Sequence, residues 1–491
     1  MIKYAERRKA PVWGKGRNEM KKWVIALLLA MTVSGCRRYE PVTELPGVEA
    51  EAGEGTEEAG EGGEMDKQSG QSEQTGDEVS DQGQDGQAGD GAASQSQDGQ
   101  SGDSAGGLGQ DGQSGDSVSG QAQDEDAADE IFITTLPERT PVKVKGIYVS
   151  AYVAGTKARM DELIQLLDET ELNAVVIDVK DDNGRITFAM DSPQAQAIGA
   201  CENYIPDIEE LSRTLKEHGI YMIARIPAFR DPYLAEAKPE WCLKLADGSV
   251  FRDRNKLAWV NPYKEEVWDY LVEIGKKAGE AGFDEIQFDY IRFCTEKGMD
   301  QVVFDPEETK GRSRQDIILE FVRYAYEELR KEGLFVSADV FGAVIGGGQD
   351  AETVGQEYSA MAAELDYICP MIYPSHYADG NFGLEHPDTQ PYETILAALG
   401  DSAEDLSAVW TAGGTTGTVR PWLQAFTASY LKTYIPYGPE QIRQQIQAVY
   451  DAGCEEWILW NASVRYDSGG LLTEEQGQAE AAAREAAREP S

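Results

Sequence analysis

From Lys145 onward the chain alternates eight times between a short apolar run and an amphipathic stretch, and few folds satisfy that rhythm. The runs are GIYVSAYV (146–153), AVVIDV (174–179), YMIARIPAF (221–229), EIQFDYIRF (285–293), FVSADVFG (335–342), YICPMIY (367–373), RPWLQAF (420–426) and EWILWNA (456–462). β-Branched and aromatic residues dominate them, as strands covered on both faces require. The intervening segments 160–170, 208–218, 264–281, 316–331, 353–363, 392–399 and 439–452 carry apolar residues at helical spacing. Eight such units in about 320 residues predict an α/β chain closed into a (β/α)8 TIM barrel. The rival is an open doubly wound sheet. Its glycine-rich phosphate turn is missing after the first strand, where Ala151 to Ala154 stand. Gly346-Gly347-Gly348 lacks the lysine and serine of a P-loop and reads as a flexible loop. Gly or Asn precedes several strands, at Asn173, Gly219, Gly282, Gly333 and Gly453, where a left-handed helix cap is wanted. Asp247-Gly248, in the long insertion after the third strand, reads as a hairpin turn.

The segments before the barrel point to a destination outside the cytoplasm. Met20-Lys21-Lys22 followed by WVIALLLAMTV (23–33) has the charge and length of a signal peptide, too short for an ordinary span. It ends in Val33-Ser34-Gly35-Cys36, which resembles a bacterial lipobox and predicts lipidation of Cys36. Residues 1–36 are therefore expected to be a lipoprotein signal peptide, with Met20 as an alternative start. A plain secretory signal or an uncleaved anchor is the other reading. Residues 37–130 repeat DGQ and SGD units with almost no aliphatics, and predict a disordered acidic tether. The barrel is expected over 131–467 and a polar tail, ending in a helix, over 468–491. The formal net charge of −44 argues against a nucleic-acid partner. Roughly half of it lies between Tyr39 and Glu130, where Lys67 is the only base among about two dozen acids. Six cysteines without CxxC spacing predict neither a zinc site nor a dense disulfide framework. A monomer is expected.

The chemistry is concentrated where strands end. In FDEIQFDYIRF (283–293), Gln287, Asp289 and Ile291 share one strand face, and Ile286, Phe288 and Tyr290 the other. A carboxylate in mid-strand must be compensated, and a barrel offers compensation at the strands' carboxyl ends. A structural salt bridge from Asp289 to a neighbour such as Arg292 is the alternative. Inward parity adds Asp178 and Lys180 with Asp181 beyond, Arg225, Asp339, Tyr373 with His376 beyond, Trp422 and Gln424, and Asn461 beside Trp460. Asp289 and Asp339, on adjacent strands, can divide labour: an ionised carboxylate attacks or activates water, and the other protonates a leaving oxygen. Asp178, Asp181, Asp289 and Asp339 are also hard oxygen ligands, but no histidine pairs with them, so neither metal nor cofactor is expected. Asp178 and Lys180 can equally be read as a structural ion pair.

Taken together, KGIYVSAYVAG, IDVKDDNGRITF, FDEIQFDYIRF, SADVFG, DYICPMIYPSHY and RPWLQAF, in this order, resemble a bacterial family of glycoside hydrolases defined as a domain of unknown function. Its members are often secreted or lipid-anchored, and are distantly similar to α-amylase-like barrels. The resemblance implies a TIM barrel with glycosidase activity and places Asp289 at the nucleophile position. Those barrels carry Glu on strand five where this chain has Asp339. Cys294 and Ala425 also depart from the family pattern, where Pro and Asp are expected. The expectation is a cell-surface glycoside hydrolase acting on a poly- or oligosaccharide, with Asp289 and Asp339 catalytic. Asp178, Lys180, Asp181, Arg225, Gln287, Arg292, Tyr373, His376, Trp422, Gln424, Trp460 and Asn461 are the expected sugar contacts. A catalytically silent glycan-binding barrel, or a metal-assisted polysaccharide hydrolase or deacetylase, are the alternatives.

Overall fold

The structure, a computed structural model, describes residues 136–488. The signal segment, Cys36 and the acidic tether lie outside the described residues. Strand and helix alternate as β1 (Lys145–Val149), α1 (Lys157–Glu169), β2 (Ala174–Asp178), α2 (Ile208–Glu217), β3 (Tyr221–Pro227), α3 (Glu265–Glu280), β4 (Glu285–Asp289), α4 (Arg314–Leu329) and β5 (Phe335–Phe341). The second half continues with α5 (Gln349–Val354), α6 (Tyr358–Ala362), β6 (Tyr367–Met371), α7 (Pro391–Thr411), β7 (Thr418–Val419), β8 (Trp422–Gln424), α8 (Pro439–Asp451), β9 (Trp457–Trp460) and α9 (Glu474–Arg488). All strand pairings are parallel, β1 pairs with both β2 and β9, and β5 pairs with β6, so the sheet closes on itself. β7 and β8 lie in one register against β6, through Tyr367↔Thr418 and Met371↔Trp422. They are two pieces of a single strand interrupted at Arg420-Pro421, where proline has no N–H to donate. The barrel therefore has eight positions.

Side-chain parity fills it in layers. β4 points Glu285, Gln287 and Asp289 inward and packs Phe288 outward against Phe321 of α4, with ring centroids 5.3 Å apart. On the floor, Arg420 donates from Nη1 to both oxygens of Glu285 (2.8 and 2.9 Å) and from Nε to Glu456 (2.8 Å). Ser337 also donates to Glu285, at 2.5 Å. Arg420 and Glu285 are fully buried, so each charge is viable only because the other is present. One layer up, Gln287 donates to the Cys369 thiol at 3.3 Å. Asp289 tops the column at the mouth.

Several boundaries differ from the sequence expectation, each for a local reason. The first strand stops at Val149, and 151–154 form a helical turn closed by Ala154 N–H donating to the Ser150 carbonyl. The fourth stops at Asp289 because Tyr290 takes φ +46°, a left-handed conformation. The predicted helix 353–363 is split at Gly355 (φ +80°), where an added Cβ would lie 2.8 Å from the Arg314 carbonyl oxygen. α7 runs on to Thr411 through exposed Gly400, since burial of Leu399, Ser402 and Leu406 outweighs a glycine cost of about 1 kcal/mol. Asp247-Gly248 does form the hairpin turn: Gly248 has φ +83°, and Leu245 N–H donates to the Ser249 carbonyl. α9 docks on the barrel underside. There Glu171 accepts from Lys145 (2.8 Å), Arg443 (2.9 Å) and the Leu472 N–H (3.1 Å).

Candidate active site

Asp289 ends β4 at the carboxyl-terminal mouth of the barrel. Arg225, from the adjacent β3, donates to its Oδ2 from Nε (3.0 Å) and Nη2 (2.7 Å). Its Oδ1 accepts the N–H of Tyr290 at 2.6 Å. The left-handed φ of Tyr290 is costly for an aromatic residue, and such strain tends to be retained at sites of function. The Asp289–Arg292 pairing considered from the sequence gives way to Asp289–Arg225.

The same guanidinium gathers two more carboxylates. Nη1 donates to Asp178 Oδ1 at 2.7 Å and Nη2 to Asp182 Oδ1 at 2.9 Å. Tyr148, from β1, donates to the other Asp178 oxygen at 2.5 Å. Burial pushes the Asp178 carboxyl up to about 6, against the pull of Arg225. Asp182, at the rim, is moved the other way: burial acts upward, but Arg225 and Arg230 outweigh it and hold its carboxyl below the usual range.

Asp339 follows the β4–β5 register, which pairs Phe288 with Ala338, so it is the next residue opposite Asp289. Only 2 % of it is exposed. Trp422 donates from Nε1 to its Oδ1 at 2.6 Å. Burial first, and then the Asp289 charge, push its carboxyl well above the ordinary carboxylate range. Tyr373 is buried near both acids, and burial first, with the two acids adding to it, pushes its phenol well above the ordinary tyrosine range. His376 lies against Tyr373 (ring centroids 5.1 Å apart), 3.0 Å from the Ser375 hydroxyl through Nδ1. Burial pushes the imidazole down to about 4, so it is neutral near pH 7. Trp460 forms the wall opposite, stacked on Tyr148 at 4.2 Å, edge-on to Trp422 at 5.6 Å, with the Arg225 guanidinium 5.7 Å from its ring.

Other expected sugar contacts occupy different places. Lys180 is fully buried, paired with equally buried Asp231 at 2.7 Å and donating to the Pro227 carbonyl. It is a strut between loops, and its partner is Asp231 instead of Asp178. Asp181 accepts the N–H groups of Asn183 (2.9 Å) and Arg185 (2.8 Å), shaping the loop that presents Asp182. Gln287 lies a layer below the mouth. Arg292 is buried behind the site, its guanidinium 4.6 Å from the Phe341 ring and 5.1 Å from Trp259, donating to the Phe293 carbonyl. Gln424 is fully buried, accepting from Ser375 N–H and donating to Asp388 (both 3.0 Å). Asn461 donates from its amide to the carbonyls of Ala425 (2.6 Å) and Arg465 (3.0 Å), clamping the turn after β9.

Tyr148 and Asp182 are the mouth residues that sequence reasoning did not select. Tyr148 carries the right parity in β1, and in Asp181-Asp182-Asn183 only the folded loop decides which carboxylate turns inward. Among the described residues, no group of three or more His, Cys, Asp or Glu is arranged to hold a metal ion. Arg225 itself supplies the cation at the point where Asp178, Asp182 and Asp289 converge.

A closed parallel barrel carrying adjacent acids at the mouth, with aromatic walls, defines a glycoside-hydrolase-type TIM barrel. Residues 146–466 match the family model described as DUF4015, "Putative glycosyl hydrolase domain". The chain belongs to that family. Among solved structures it is similar to a hypothetical protein from Ruminiclostridium thermocellum ATCC 27405, at 38% identity over 40% of this chain and 97% of that one (TM-score 0.37). It is also similar to the PgaB (BpsB) glycoside hydrolase domain from Bordetella bronchiseptica, at 12% identity over 71% and 98% of the two chains (TM-score 0.43). The spore cortex-lytic enzyme SleL of Bacillus megaterium QM B1551 is 11% identical over 69% and 75% (TM-score 0.39). No curated protein matches the chain.

Proposed function

We propose that this protein is an extracytoplasmic glycoside hydrolase that cleaves a poly- or oligosaccharide with Asp289 as nucleophile and Asp339 as general acid. The observation that carries the reading is the unequal treatment of two neighbouring acids. Asp289 is ion-paired to Arg225, whereas burial and the Asp289 charge keep a proton on Asp339. Asp289 attacks the anomeric carbon as Asp339 gives its proton to the departing glycosidic oxygen. Water then attacks the glycosyl–Asp289 ester while Asp339 takes a proton back. Neighbouring strands lie about 4.8 Å apart, so acids on adjacent strands can approach the carboxyl separation of about 5–5.5 Å that suits retention. Trp422 holds Asp339 in place, Arg225 with Asp178 orients Asp289, and Tyr373, His376, Trp460 and Asp182 meet the sugar. Cys36 anchors the chain by lipid, and the acidic segment 37–130 carries the barrel away from the membrane.

Asp289→Asn tests this directly. Reducing-end release from the cleaved glycan should fall by roughly 10⁴-fold or more with binding retained, in line with the loss of a covalent nucleophile. Wild-type turnover should be indifferent to chelator. A chelator-sensitive rate would favour a metal-assisted hydrolase. Binding without any turnover in the wild type would favour a silent barrel.

A further inference from the structure

Two pairs of tyrosines stand on the mouth outside the acid cluster. Tyr152 follows β1 and Tyr204 lies on the loop after β2, both on the face where Asp289 ends β4. Their rings stack with centroids 4.6 Å apart, tilted by 38°, and Tyr152 is 61% exposed. The pair is held firmly. An added Cβ on Gly155 would stand 1.8 Å from the Tyr204 carbonyl oxygen, so a side-chain-free residue lets the two loops press together. Tyr430 and Tyr434, 53% and 42% exposed, lie on the loop leaving β8. The Tyr430 hydroxyl donates to Ser375 at 3.4 Å, beside His376 in the turn after β6. In the ring order β8, β9, β1 and β2 are consecutive, so the two pairs flank the arc of the rim that carries Trp460 on β9. Trp460, its ring 5.7 Å from the guanidinium that binds Asp289, stands between them.

Exposed aromatic rings on a polar rim offer flat apolar faces, which the C–H face of a pyranose can cover while its hydroxyls stay hydrated. We propose that an extended glycan runs along this arc of the mouth, past Trp460, with sugar rings resting on Tyr152–Tyr204 at one end and on Tyr430 and Tyr434 at the other. The substrate is then a polymer, cut internally instead of from its ends. This rests on the hydrolase reading above and adds to it the length of the substrate and the position of the cut.

The test uses the full chain, run by affinity electrophoresis through gels containing hydroxyethylcellulose, glucomannan, galactomannan, xylan or glycol chitosan, beside reducing-end and product-size analysis. At least one polymer should retard the wild type and be cut early into mid-length oligosaccharides. Tyr152→Ala and Tyr430→Ala should each weaken retention by about three- to tenfold, the worth of one stacked ring. Tyr152→Phe, which keeps the ring, should behave as wild type, and unchanged thermal midpoints would exclude misfolding. Failure of all five polymers to retard the wild type, retention unchanged in both alanine variants, or release of only mono- or disaccharides from the outset would each overturn the proposal. Release abolished by Asp289→Asn but untouched by the tyrosine variants would sink the platforms alone. Retention lost in the tyrosine variants, with no release by any form, would sink the hydrolase reading and leave the platforms standing.

Discussion

Arg225 is one cation set among Asp178, Asp182 and Asp289, with Asp339 close behind. Arg225, even with Arg230 also acting on the rim Asp182, does not offset the burial of the innermost acids, and the carboxyls of Asp178 and Asp339 are pushed up. That is the basis for proposing Asp339 as the proton donor. Asp339→Asn is expected to slow hydrolysis of substrates with poor leaving groups by about 10²–10⁴-fold. It should barely affect aryl glycosides whose phenol departs without protonation, and comparing the two rates for each enzyme form checks the assignment. Asp178 makes a further prediction. Its folded value of about 6 lies above the ordinary 3.8, so the fold favours its neutral form. The associated stability is present below pH 4, is lost as pH rises to about 6, and stays lost above. At about 1.36 kcal/mol per pKa unit, the loss is on the order of 3 kcal/mol. Chemical denaturation of wild type and Asp178→Asn between pH 4 and 6.5 should show their stability difference drifting by that amount, against the wild type. No drift would mean that Asp178 does not titrate in this range.

At the scale of the element, β4 is the column from which the barrel is assembled. Its inward residues meet Arg420 on the floor, Cys369 in the middle layer and Arg225 at the mouth. The alternation that turns Gln287 and Asp289 inward could be read directly from the period-2 pattern. Glu285 has the same parity, but its partner Arg420 lies 135 residues further along the chain, and no local pattern announces it. Arg420→Met leaves Glu285 and Glu456 buried without their cation and should cost about 3–5 kcal/mol, measured by urea unfolding. The mouth residues do not touch Arg420, so the surviving folded fraction should keep its KM. The strand ends were harder to read than the strands. Val149 and Asp289 end their strands through a turn and a left-handed residue, and neither is encoded by hydrophobicity.

For the molecule as a whole, the barrel is one closed sheet with α9 docked beneath it and its chemistry on the opposite face. No helix among the described residues is long and apolar enough to cross a membrane. The proposed attachment through Cys36 makes a separable prediction. In a bacterial host, Cys36→Ser should move the protein from the detergent phase to the aqueous phase on Triton X-114 partitioning, with unchanged turnover of soluble glycan. Persistence in the detergent phase would point to an uncleaved anchor. The sequence by itself determined the eightfold alternation, the inward parity of Asp178, Arg225, Asp289 and Asp339, and the site's position at the strand ends, because burial imposes a period on each element that any stretch of chain displays. Only the tertiary structure decided how the charges are matched. It set Arg225 on Asp178, Asp182 and Asp289, Lys180 on Asp231, and Trp422 on Asp339, because those partnerships arise when the sheet closes and distant strand ends share one small, weakly solvated space.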